Sequence, residues 1–107
     1  MNLVDPNWYQ VTMLFPLTDN EGERFSDEVW RWWRRKITSL QRAFMDEGAV
    51  NGWWQGKHDG QYRKIVVNVK GKEKVDQLRI FLQEAIKMFR QKAMYLEYHL
   101  VWFEEVR

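Results

Sequence analysis

Between Trp8 and Leu17 the chain alternates, with Tyr9, Val11, Met13 and Phe15 on one side and Trp8, Gln10, Thr12 and Leu14 on the other. A period of two in aromatic and β-branched residues predicts a strand over 8–17. The polar loop "TDNEGER" leads to Ser26, whose hydroxyl suits a helix N-cap, while Asp27 and Glu28 suit the positive end of the dipole. Phe25 and Trp30 occupy the positions of a hydrophobic staple. From there Val29, Trp33, Ile37, Leu40 and Phe44 recur at spacings of four and three, one apolar stripe along a helix that is expected to stop at Gly48. The segments "AVNGWWQ" and "YRKIVVNVK" read as two strands, with Asp59-Gly60 as the hairpin signal between them. Residues 72–92 carry Val75, Leu78, Leu82, Ala85 and Phe89 at helical spacing, widened by Phe81, Ile86 and Met88. Alternation returns in "MYLEYHLVWF", a last strand over 94–103.

The element order β-α-β-β-α-β resembles the ferredoxin-like, split βαβ arrangement. That resemblance implies an α+β fold with a four-stranded antiparallel sheet in the order 4-1-3-2 and two helices on one face. It spans nearly the whole chain but rests on topology, with no diagnostic family motif. RNA-recognition domains, small-molecule sensors, CRISPR-associated nucleases and dimeric α/β-barrel enzymes share the outline, so fold alone selects no function.

Composition narrows the field. A chain of 107 residues makes one domain with one core. Aromatic residues make up 16% of it, including seven tryptophans, so many rings must be core. Seventeen basic against fifteen acidic side chains leave a net charge of +2, too small to imply general affinity for phosphate backbones. Without cysteine there is no disulfide framework, thiolate nucleophile or cysteine-based zinc site. The start "MNLVDPNWYQ" lacks the pattern of a leader, and no run approaches a membrane span. A soluble, cytoplasmic domain is the expectation.

The segment "VWRWWRRK", residues 29–36, raises the question of nucleic acid. Helical geometry places Trp33 inside the apolar stripe and Trp30 at its margin, while Arg31, Arg35 and Arg42 cluster opposite. A stacking groove needs rings and cations on one surface, and here the period separates them. Only Trp32 falls outside the core face, so Arg31, Trp32, Arg35 and Arg42 stand as the candidate nucleic-acid contacts. The third strand, "RKIVVNVK", departs from the aromatic pattern of RNA-recognition domains.

Strand parity defines a second surface. If helices cover Tyr9, Val11, Met13, Phe15, Val50, Ile65, Val67, Val69, Leu96, Tyr98 and Leu100, the opposite face holds Trp8, Gln10, Thr12, Asn51, Trp53, Gln55, Tyr62, Lys64, Val66, Asn68, Tyr95, Glu97, His99, Val101 and Phe103. Trp54, of opposite parity to Trp53, goes to the core side. An open face so rich in rings calls for a cover. The leading expectation is a homodimer-forming interaction or small-organic-ligand domain that needs no cofactor, with Trp8, Gln10, Thr12, Trp53, Lys64, Tyr95, His99 and Phe103 as its surface. The alternative is an α/β-barrel-type enzyme without a cofactor, in which His99 acts as general acid or base and Glu97, two positions earlier on the same side, orients it. A nucleic-acid domain using the first helix comes third. His58 and Asp59 fall in a predicted turn and lack the further ligands a metal needs.

Overall fold

The computed structural model describes residues 7–104, 106 and 107, except for the side chain of Trp54. The reading of the first six residues as leader-free and the core-side placement of Trp54 therefore lie outside the described residues. The elements are β1 (Trp8–Pro16), α1 (Asp27–Leu40), β2 (Met45–Trp54), β3 (Lys57–Lys70), α2 (Lys72–Met88) and β4 (Tyr95–Leu100). The fold is α+β. All pairings are antiparallel in the order β2-β3-β1-β4, which is the expected 4-1-3-2 read from the other edge. No helix among the described residues is long and apolar enough to cross a membrane.

One cluster holds the layers together. Val11, Met13 and Phe15 from β1 and Ile65, Val67 and Val69 from β3 meet Trp33 and Ile37 of α1 and Val75, Leu78, Phe81, Leu82 and Ala85 of α2, with Phe89 just beyond that helix. Of the period-two residues of β1 and β3 assigned to the helix side, all but the half-buried Tyr9 are thus buried. Phe15 lies at the centre, its ring centroid 5.6 Å from Trp33, 5.7 Å from Phe81 and 6.0 Å from Phe89. On edge strand β4 the same parity yields less cover, since Tyr98 and Leu100 remain exposed.

The start of α1 follows the sequence. The Ser26 hydroxyl accepts a hydrogen bond from the Val29 N–H at 3.4 Å. Phe25 and Trp30 both turn ring edges to Phe89, at 4.9 and 5.2 Å, so the staple closes through a third ring. The end of α1 corrects the expectation. The helix stops at Leu40, eight residues before Gly48, and Gln41 is already extended. Thr38 and Ser39 bond back to the carbonyls of Arg34, Arg35 and Lys36, the local competition by which hydroxyl residues weaken helices. Phe44 kept the apolar spacing because the extended chain still lays its ring against Trp33, at 6.4 Å. Arg42 is consequently a loop residue and shares no helix face with Arg31 and Arg35.

Gly48 instead serves a bulge in β2, where the register shifts between Asp46 and Ala49 and its φ is +76°. The shift reverses two parity assignments. Val50 pairs with Tyr62 and so joins the open face, while Asn51 pairs with Gln61. The hairpin turn is Gln55-Gly56, both at positive φ as a two-residue turn of this twist requires. Asp59-Gly60 lies within β3, and Gly60 faces Gly52 across the ladder. Helix α2 ends at Met88 rather than 92. Arg90 takes a left-handed φ of +52°, while the Gln91 N–H reaches the Ile86 carbonyl at 2.9 Å and the Arg90 N–H that of Lys87 at 3.3 Å. This is the Schellman closure, with arginine where glycine is usual. Strand β4 is also shorter than read, leaving Trp102 and Phe103 beyond its end.

Because Phe15 joins both helices to the sheet, Phe15→Ala is expected to cost about 3–5 kcal/mol. Urea unfolding checks this, the midpoint falling at unchanged slope.

Candidate functional site

The open face is a grid set by register. Asn68, Gln10 and His99 form one row; Met45, Val66, Thr12 and Glu97 the next; Lys64, Leu14 and Tyr95 the third; Val50, Tyr62 and Pro16 the last. The register therefore puts Gln10, Thr12, Lys64, Tyr95, Glu97 and His99 on one face. Trp8 meets Phe103 edge-on at 5.0 Å at one end of this face. Trp53 stands highly exposed near the hairpin at the other end, its ring edge to His58 at 5.3 Å.

Two concavities open on this surface. The smaller, about 280 Å³, lies around Trp8, Gln10, Val66, Asn68 and Phe103 and is mostly apolar. The larger, about 660 Å³, is walled by Leu14, Pro16, Gly52, Trp53, Asp59, Tyr62 and Tyr95, with Gln91 and Met94 from the segment before β4. Its floor depends on a glycine: a Cβ at Gly52 would stand 2.7 Å from Cε2 of Tyr62, so that ring occupies the space a side chain would fill. The Tyr62 hydroxyl donates a short hydrogen bond to Asp59, which with burial pushes its pKa up to about 12. Tyr95 likewise donates to Glu97, and its pKa is raised for the same reason. On the helix side, the hydrogen bond and charge of Lys72 pull that of Tyr98 down.

This geometry divides the candidate residues. Glu97 is engaged by Tyr95 rather than by His99, and neither concavity includes Glu97 or His99 in its wall. Lys64 pairs with Glu47 at 3.7 Å. His58 Nε2 lies 3.1 Å from the Asn51 side-chain oxygen while Asp59 serves Tyr62, so these neighbours act apart. Trp32, expected off the core face, is half-buried and stacks on Phe81 at 5.8 Å, because α1 leans on α2 and covers its flank. Arg31 and Arg35 stay exposed on α1 without that ring.

Sequence reasoning missed a further cleft on the helix side of the sheet. About 800 Å³ in volume, it lies between the β1–α1 loop, α1, β2 and β3 and is lined by Arg24, Arg34, Arg63, Asp27, Asp46 and Trp30, among others. Arg63 lies over the Trp33 ring at 4.3 Å and the Trp30 ring at 5.3 Å. Its Nε donates to Asp46 at 2.9 Å, while the Gly48 N–H donates to the other carboxylate oxygen at 3.0 Å. The Arg63 hydrogen bond holds the Asp46 carboxyl below its ordinary range, outweighing the opposite effect of desolvation. The bulge and the helix end that build this cleft have no single-residue signature. The odd parity of Arg63 beside Ile65 was the one available sign.

No family model matches the chain, and no curated protein matches it. Among solved structures it is similar to a phage SAM lyase in complex with S-methyl-5′-thioadenosine, over 98% of this chain and 95% of that chain, with a TM-score of 0.53 and 12% identity. A likeness at that identity concerns the fold.

Two titrations test the site. Spectrophotometric titration of tyrosinate should show Tyr98 ionising first and Tyr62 last, near pH 12. Gly52→Ala and Asp59→Asn should each move the last step toward the ordinary value of 10. Below pH 10 Tyr62 contributes its full share to stability, and that share is lost as pH rises toward about 12, where the folded state releases the proton. Asp46 has the opposite sign. Its contribution is present above the ordinary carboxyl value of 3.8 and is lost as pH falls through the lower folded value. Asp46→Asn should therefore unfold at lower urea than the parent at neutral pH, with the gap narrowing in acid.

Proposed function

We propose that the chain is a small-ligand-binding domain of ferredoxin-like topology whose larger open-face concavity takes an adenosine thioether, with a second copy of the chain closing the face. The observation that carries this reading is the ring-walled concavity on the sheet surface that neither α1 nor α2 covers. Its volume suits a nucleoside-sized molecule. Trp53, Tyr62 and Tyr95 offer faces for a purine, Asp59 offers an acceptor for ribose hydroxyls, Gln91 supplies a donor and an acceptor, and the tyrosine hydroxyls, whose protons go to Asp59 and Glu97, supply acceptors. Leu14 and Met94 add an apolar wall suited to a methylthio group. The likeness in fold to a lyase captured with such a thioether supports the choice of ligand class.

Exposed Met45, Tyr95 and Phe103 support closure by a second copy, since together they leave apolar surface to be buried. The absence of cysteine from the chain supports a cytoplasmic setting. Catalysis by His99 with Glu97 takes second place because Glu97 is held by Tyr95. Nucleic-acid binding through Arg31, Arg35 and Arg42 ranks below it, Trp32 being packed on Phe81.

Calorimetric titration with S-methyl-5′-thioadenosine should give saturable binding that Trp53→Ala and Tyr62→Ala each weaken about tenfold, as lost stacking requires. Absence of heat up to about 1 mM ligand would reject the ligand class. Sedimentation velocity should find a mass of two chains that Phe103→Ala with Tyr95→Ala reduces, and a concentration-independent monomer would reject closure by a second copy.

A further inference from the structure

We propose that the arginine cleft between α1 and the β2–β3 hairpin is a separate binding site for the oxyanion of a small molecule, a carboxylate or phosphate. It stands apart from the open-face concavity. Tyr62 and Pro16 wall that concavity, whereas their chain neighbours Arg63 and Leu17 line this cleft on the other side of the sheet.

The cleft combines a fixed cation with two free ones. Arg63 lies over the Trp33 and Trp30 rings and is tied to Asp46, so its guanidinium is oriented before any ligand arrives. Arg24 and Arg34 are both exposed, and among the described residues no carboxylate lies within ion-pair distance of either. Three guanidinium groups around one hollow repel one another, and an anion between them relieves that repulsion while accepting charge-assisted hydrogen bonds. Phe25 and Trp30 give an apolar wall for the remainder of the molecule.

Charge also limits what enters. Asp46 and Asp27 offset two of the three cations, which leaves one net positive charge in the lining. That suits a small anion and opposes a long polyanion. Arg31 and Arg35 are exposed on the same helix but line neither this cleft nor the two open-face concavities, and they serve as internal controls.

The test is NMR of the arginine Nε–H and tryptophan indole N–H signals, with inorganic phosphate and citrate titrated separately at constant ionic strength. Saturable shifts at Arg24, Arg34, Arg63 and Trp30, with Arg31 and Arg35 unmoved, are expected from at least one probe. Phosphate acting alone assigns a phosphate group, and citrate acting alone assigns a carboxylate. Arg24→Gln with Arg34→Gln should weaken binding about tenfold or more while leaving the amide spectrum folded. Equal shifts at Arg31 and Arg35, no saturation with either probe, or undiminished binding by the double variant would each overturn the proposal. Methylthioadenosine binding at the open face is measured independently, so either site can fail without the other.

Discussion

The packing of rings around Phe15 is the contact on which the rest of the structure depends. A two-layer α+β domain must bury one sheet face against two helices, and Phe15 on the inner strand β1 reaches both. Phe15 meets Trp33 of α1 and Phe81 of α2, and Phe89 beyond α2 completes the set. Trp30 and Phe25 then pack on Phe89, which determines how the chain enters α1. Edge-to-face contacts of this kind add to area burial and restrict how the layers can slide. The three tryptophans of α1 are therefore structural, and the cations interleaved with those rings fall outside the core.

The same packing produces the arginine cleft. Arg63 has helix-side parity on β3, and burial there would be costly for an uncompensated guanidinium. It is tolerated because Trp33 and Trp30 present ring faces to it and Asp46 accepts its hydrogen bonds. Asp46 reaches it from β2 beside the bulge that Gly48 permits. A packing solution at the mouth of the core thus leaves a hollow in which cations are already oriented.

The other side of the sheet follows a different rule. Neither α1 nor α2 covers it, so its large side chains shape concavities rather than filling a core. Tyr62 rests over Gly52 and is tethered by Asp59, and Tyr95 is tethered by Glu97. Those tethers hold aromatic faces at fixed angles at low entropic cost. His99, the imidazole on this face, lies two rows away from Tyr95 and walls neither hollow.

Periodicity along the chain determined the element order, the buried residues of β1 and β3 from Val11 to Phe15 and Ile65 to Val69, and the cap of α1 at Ser26, because those depend on residues close in sequence; the strand order was what the resemblance to the split βαβ arrangement implied. Tertiary structure alone decided where α1 ends, how β2 bulges, which dipeptide turns the hairpin and where Trp32 lies. Phe44 shows the reason: an apolar residue at helical spacing satisfies the core equally well from an extended segment, so spacing cannot mark the helix end. One bulge reverses parity for the residues past it, and so Val50 joined the open face unannounced. The grouping of Arg24, Arg34 and Arg63 spans a loop, a helix and a strand, and convergence across elements leaves no local pattern to read.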